Sequence, residues 1–220
     1  THAHTDHTGA LPVVAQAFPG VPIYMTPPTR DLVTILQADA LKLMAAAAEQ
    51  EYELPLYTGR QVETMLRSVR TVRRGESVAI GATEARFLPA AHILGAAMIH
   101  IRTPGGNVLF TGDFSVDAQQ SVPALDRPRI RPDIVVCESP YGNRLHAALA
   151  AARRRLVSQI AAVAERGGRV LVPAFAVGRA QEVLLVLKRA RRAGHLPAIP
   201  VAVDGMGRRV CNIYADHPDW

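Results

Sequence analysis

The run His2-Ala3-His4-Thr5-Asp6-His7 puts three imidazoles and a carboxylate within six residues, and any fold of this chain must deliver them somewhere. At a strand end, side chains alternate with period two, so His2, His4 and Asp6 are expected to project on one side. His7 turns inward only if the strand gives way to a loop or helix, and Thr8-Gly9 supplies a break. Two imidazoles plus a carboxylate–imidazole pair suit two borderline cations such as Zn2+, each taking nitrogen and oxygen ligands. A solvated histidine cluster or a tag remnant would also be histidine-rich. The Asp within the run and the Gly9-Ala10-Leu11-Pro12 that follows do not resemble a tag.

Composition narrows the classes. Apolar residues make up 49% of the 220 and are spread along the whole length, so a packed core is feasible and disorder is excluded as the default. No apolar run reaches the roughly 18 residues of a membrane span. Cys137 and Cys211 match no zinc or redox spacing, so a disulfide scaffold is not expected and a cytoplasmic location is. The net charge of +6 is carried in clusters, at Arg127, Arg129 and Arg131, at Arg153 to Arg155, and at Lys188, Arg189, Arg191 and Arg192. Such clusters attract phosphate backbones, although solvated helix faces are often charged too.

Helical and strand signals alternate, which predicts α/β architecture. Leu11, Val14, Ala15 and Phe18 recur at helical spacing; Val21 to Tyr24 reads as a short strand ended by Pro27-Pro28. Thr29 is the expected cap of a long helix with Leu32, Ile35, Leu36, Leu43 and Met44 on one face, and Thr58 with Gln61 has capping-box spacing. Period-two strands follow around 78–80, 85–88, 98–102 and 108–110, with antiparallel pairing implied by their short connections. Ile134 to Cys137 reads as a buried strand. After it come a helix through Leu156 and Ile160, a strand at Arg169 to Val172, a helix through Val183 and Leu187, and a strand at Val201 to Val203. That alternation predicts a second, parallel sheet, with a boundary near Pro140.

The histidine run closely resembles the HxHxDH signature of the metallo-β-lactamase fold. Two further features fit the resemblance: His92 in Ala90-Ala91-His92-Ile93-Leu94-Gly95, and Asp113 in Thr111-Gly112-Asp113-Phe114-Ser115. The resemblance implies that His2, His4 and His92 hold one metal, that Asp6 and His7 hold the other, and that Asp113 bridges both. Glu138-Ser139-Pro140-Tyr141-Gly142-Asn143-Arg144-Leu145-His146 resembles the first motif of the β-CASP nucleases. Gly168 to Glu182 is similar to the start of their inserted domain, and Val203 to Met206 through His217-Pro218 matches loosely. The fold implied is an incomplete αββα sandwich over residues 1–139, followed by the beginning of a parallel α/β insertion over 140–220.

The activity implied is two-zinc hydrolysis of RNA phosphodiester bonds, endo- or 5′-exonucleolytic. Asp6 and Glu138 are the catalytic candidates, Glu138 by orienting a histidine that protonates the leaving oxygen. Arg144 and Arg179 are candidate nucleic-acid contacts; RNA is the expected partner, and a homodimer or a place in a processing complex the assemblies to consider. Pro140 stands where the family usually has Thr, and Gly205 where Ser is common. The last metal ligand and the general-acid histidine are expected beyond Trp220, and an acidic motif before Thr1, so these residues alone are expected to cleave weakly or not at all. His100, His146, His195 and His217 lack a ligand's context and are expected to be structural. Two other classes remain, a thioester or lactone hydrolase of the same fold and a non-catalytic nucleic-acid-binding relative.

Overall fold

The period-two region resolves into antiparallel strands in the computed structural model, which describes all 220 residues. Strands β3 (Ser77–Ile80), β4 (Thr83–Pro89), β5 (Ala97–Thr103) and β6 (Gly106–Phe110) pair in chain order, and β7 (Ile134–Val136) joins β6 in parallel. A separate parallel pair is formed by β1 (Ile23–Met25) and β2 (Val69–Thr71). The helices are α1 (Thr5–Thr8), α2 (Leu11–Ala17), α3 (Pro27–Glu51), α4 (Gly59–Ser68), α5 (Leu149–Glu165), α6 (Arg179–Arg192) and α7 (Gly207–Asp216). None is long and apolar enough to cross a membrane.

The principal core lies between the sheet and α3, α4 and α7. Ala3, Leu32, Val33, Met65, Leu88, Ile93, Met98, Leu109, Val210 and Ile213 are buried together there. Fully burying a side chain of this size contributes about 1.5–3 kcal/mol, so this cluster dominates the packing. A smaller cluster of Ile160, Leu187, Ala190 and Leu196 sits between α5 and α6.

Several local expectations change. Thr26, not Thr29, is the N-cap of α3, its hydroxyl accepting from the Thr29 amide at 3.4 Å. Pro27 and Pro28 therefore begin the helix, where a missing N–H costs nothing, instead of merely ending a strand. Leu43 is 66% exposed because the C-terminal half of α3 runs past the sheet it packs on. Thr58 and Gln61 do form the capping box, with the Thr58 amide donating to Gln61 Oε1 at 2.7 Å.

The second parallel sheet does not form. Residues 169–172 and 201–203 form no strand, and Val170, Leu171 and Val201 are exposed. β7 exists, yet Ile134, Val135 and Val136 are exposed, not buried. An apolar β-branched run reports a preference for extended backbone; pairing and burial require a neighbour that local sequence cannot supply.

Gly95 locks the β4–β5 connection onto α3. It has φ 79°, its carbonyl accepts from the hydroxyls of Thr26 (2.7 Å) and Thr29 (3.1 Å), and a Cβ there would stand 2.8 Å from Thr26 Oγ1 and Thr29 N. Gly20 has a similar φ of 81° but open space around it. Gly95→Ala is expected to cost about 2–5 kcal/mol in urea unfolding, against about 1–2 kcal/mol for Gly20→Ala, because only the former adds a backbone collision to the positive φ.

Candidate metal centre

One end of the five-stranded sheet collects the site. Pro89 and Ala97 pair across β4 and β5, and the Thr1 carbonyl accepts from the Ala97 amide at 2.9 Å, which lays the histidine run beside β5. The run is not a strand through Asp6. His4 caps α1, and the amides of His7 and Thr8 both donate to the His4 carbonyl at 3.0 and 3.1 Å. The chain coils three residues earlier than Thr8 would suggest, so Asp6 leaves the face that His2 and His4 share.

His2 Nε2 lies 3.1 Å from His4 Nδ1, and His92 Nε2 lies 3.2 Å from that same Nδ1. Asp113 Oδ2 stands 3.7 Å from His2 Nε2 and 3.6 Å from His92 Nε2. These four ligand atoms all lie within 4.8 Å of one another. A tetrahedral shell with bonds of about 2.0–2.1 Å has corners about 3.4 Å apart, so the spacing fits one metal ion held by three imidazoles and a carboxylate.

Asp113 also turns its other oxygen outward: Oδ1 is 3.5 Å from His7 Nε2, and His7 Nε2 is 3.4 Å from Asp6 Oδ2. Asp6 itself is 76% exposed, at the rim. Glu138 is also beside the centre, but its Oε1 accepts from the Phe114 amide at 2.7 Å, so this carboxylate holds the Asp113 turn and has no imidazole partner. Arg144 and Arg179 are exposed and make no hydrogen bond to the four ligand residues, although the Val177 carbonyl, two residues before Arg179, lies 3.5 Å from His4 Nε2.

His2 is completely buried. Burial, followed by its neighbours His7, His92 and His4, pushes its pKa down to about 2, and burial likewise lowers His92. Neutral imidazoles keep their lone pairs free for a cation, which is the form a ligand needs.

The His92 loop is held by residues that sequence patterning did not single out. Ala91 has φ 56°, a left-handed conformation costing about 1–3 kcal/mol in a non-glycine residue. The Gln119 side chain donates through Nε2 to the carbonyls of Ala91 (3.0 Å) and His92 (2.7 Å), fixing that geometry. The Leu94 amide donates to the Tyr214 hydroxyl at 3.3 Å, and burial raises the pKa of Tyr214 to about 12, so it stays protonated. Glu182 then holds the segment after Gln119, accepting from the amides of Gln120 and Ser121 at 2.7 Å each and from the Ser121 hydroxyl at 2.7 Å. Glu182 lies in the VGRAQE stretch, but nothing in the spacing showed where its carboxylate would go.

The four set-aside histidines have structural partners or surroundings. His100 meets Asn107 Oδ1 at 2.8 Å, His217 meets Asp31 Oδ2 at 2.8 Å, and His146 packs on Tyr141. The His195 amide closes the end of α6 on the Ala190 carbonyl.

With this geometry in view, residues 1–132 match the Metallo-beta-lactamase superfamily, and the chain belongs to that superfamily. A fold of this family binds metal ions, and the His/Asp cluster is where this chain can hold one. Over its full length the chain is 36% identical to the "Transcription termination factor FttA" of Methanosarcina mazei, covering 35% of that protein. It is 31% identical, again over its full length, to an "RNase J-like protein" of Methanocaldococcus jannaschii, covering 50% of it. To the "Endoribonuclease YSH1" of Yarrowia lipolytica it is 34% identical, with 85% of this chain and 22% of that one aligned. The chain thus spans about a third of the length of the termination factors it matches and half of the RNase J-like protein.

Two outcomes follow. Gln119→Leu is expected to weaken metal binding about 10–100-fold in a chelator-competition titration with the fold retained, the usual effect of losing an outer support of a ligand. In metal-free protein, unfolded His2 takes up a proton near pH 6.5 while folded His2 does so only near 2. The unfolded state binds more protons between those values, so stability present above pH 6.5 is lost as pH falls through that window. His92 acts in the same direction, and in urea unfolding His2→Asn should flatten the fall between pH 7 and pH 5.

Proposed function

We propose that this chain is the catalytic part of a zinc-dependent hydrolase of the β-CASP kind that cleaves RNA phosphodiester bonds. The observation that carries the reading is the convergence of His2 Nε2, His4 Nδ1, His92 Nε2 and Asp113 Oδ2 at coordination spacing, 3.1–3.7 Å for the closest pairs. An all-imidazole and carboxylate donor set suits zinc over the harder cations. The names of the relatives, an endoribonuclease, an RNase J-like protein and a transcription termination factor, support RNA as the substrate.

The roles of the residues follow from their placement. His2, His4 and His92 would hold one ion through neutral nitrogens, His2 being kept unprotonated by burial. Asp113 offers Oδ2 on that side and Oδ1 toward His7, so its carboxylate could serve both halves of the site. His7 with Asp6 forms the second, more exposed half-site. When bound, such ions polarise a phosphoryl oxygen and acidify water to supply a nucleophile at neutral pH. Glu138 keeps Asp113 in register through the Phe114 amide, and Gln119 does the same for His92. The outward-facing half-site leaves room for a phosphate to reach the cluster. A cytoplasmic place accords with this reading.

In the full-length protein, Asp113→Ala is expected to abolish cleavage of labelled RNA, with a loss greater than the roughly 10–100-fold of an outer-support variant, and to lower the bound metal found by elemental analysis. Cleavage and metal content unchanged in that variant would remove the reading.

A further inference from the structure

The arginines at 127, 129 and 131 are not used by the metal centre. The structure shows them lining a groove at the polar end of the sheet face whose other end carries Leu88, Met98 and Leu109 into the core. Two hollows, of about 260 and 420 Å³, adjoin there and share Arg86 and Ile130. Their walls carry six arginines, Arg74, Arg86, Arg102, Arg127, Arg129 and Arg131, against two carboxylates, Glu84 and Asp126. All six arginines are exposed, and only Arg102 has a carboxylate within salt-bridge distance, Glu84 at 3.3 Å. Arg74 lies over the Trp220 ring and Arg86 Nε donates to the Gly75 carbonyl at 3.2 Å; neither interaction neutralises charge. The nearby Asp133 is engaged by the amide and side chain of Asn107, both at 2.7 Å. The lining therefore has four more positive than negative side chains, in a chain whose net charge is +6.

This concentration is held in place. Pro128 and Pro132 restrict the backbone around the arginines, and Ile130 packs on the main core between Arg129 and Arg131. The groove has direction as well. It begins beside Glu84 and Arg102, follows β4, and reaches Leu88 and Pro89, three residues before His92. Seven strand residues at about 3.3 Å each give a floor of roughly 20 Å, far longer than one small anion needs. No Phe, Tyr or Trp side chain lines either hollow, and the one imidazole, His100, is buried and bonded to Asn107, so the interactions available are guanidinium–phosphate pairs without base stacking.

We propose that this groove is a backbone track for single-stranded RNA, gripping phosphates without reading bases along the strand that leads into the His92 loop. The identity of the polymer rests on the RNA-cleaving reading above; the groove's affinity for a phosphodiester backbone does not.

The test is fluorescence anisotropy with labelled oligouridylate and the full-length protein, in chelator so that binding is read without cleavage. The triple variant Arg127→Gln/Arg129→Gln/Arg131→Gln should bind about 10-fold or more weakly near 0.1 M salt. The slope of log affinity against log salt should fall by about 2, since each phosphate left without its guanidinium removes about 0.7. The corresponding triple lysine variant should restore most of both. Arg189→Gln/Arg191→Gln/Arg192→Gln, which removes the same charge from the end of α6, should leave the slope unchanged. Oligoadenylate should behave as oligouridylate does. Unchanged affinity and slope in the first variant, an equal loss in the α6 control, or a marked base preference would each overturn the track. Metal-dependent cleavage is measured separately with Asp113→Ala, so the failure of one reading leaves the other standing.

Discussion

Four imidazoles and one carboxylate crowd the end of the five-stranded sheet, and they coexist there only because the innermost imidazoles stay neutral. A protonated His2 would sit without solvent beside His4, His7 and His92, and its pKa near 2 expresses that cost. Neutrality is also what makes the cluster useful, since an uncharged ring nitrogen is a ligand and an imidazolium is not. The neighbouring structure can be understood as the support that keeps these rings together: the histidine run tied to β5, Asp113 carried on the turn after β6, and His92 on the connection between β4 and β5.

That connection receives more restraint than any other loop near the site. Gly95 seats it on the N-terminus of α3, Tyr214 on α7 takes the Leu94 amide, and Gln119 takes two of its carbonyls. Gly178, at φ 86°, passes so near Ile93 that a Cβ would stand 2.7 Å from it. Elements from four separate parts of the chain thus converge on one ligand. Glu182 extends the arrangement, because its carboxylate joins α6 to the segment that contains Gln119. Residues beyond the matched 1–132 therefore position a candidate metal ligand that lies within it.

β4 serves two purposes along its length. Its end leads into the His92 loop, while its outward positions Glu84 and Arg86 floor the basic groove. Leu88 continues the same alternation into the principal core, where Met98 and Leu109 share its face and Leu125 and Ile130 pack against the cluster. One strand can thus bind a charged chain outside and anchor a ligand loop at its tip.

Some of this was already determined by sequence alone. HxHxDH, His92 and Asp113 were recognisable as candidate ligands because metal chemistry restricts which donors can stand at which spacing, and the four antiparallel strands were recognisable because period two is a local property. Other features belonged to tertiary structure. Thr26 displaced Thr29 as the cap, Asp6 moved to the rim when the chain coiled at Thr5, and the apolar runs at 169–172 and 201–203 stayed unpaired. Gln119, Tyr214 and Glu182 carry no spacing that marks them, since each acts on a backbone group far away in the chain. The arginines of the groove were visible as charge, but their alignment with β4 was not. Donor type and periodicity are encoded residue by residue, whereas pairing, burial and the support of a ligand depend on which distant segment arrives beside it.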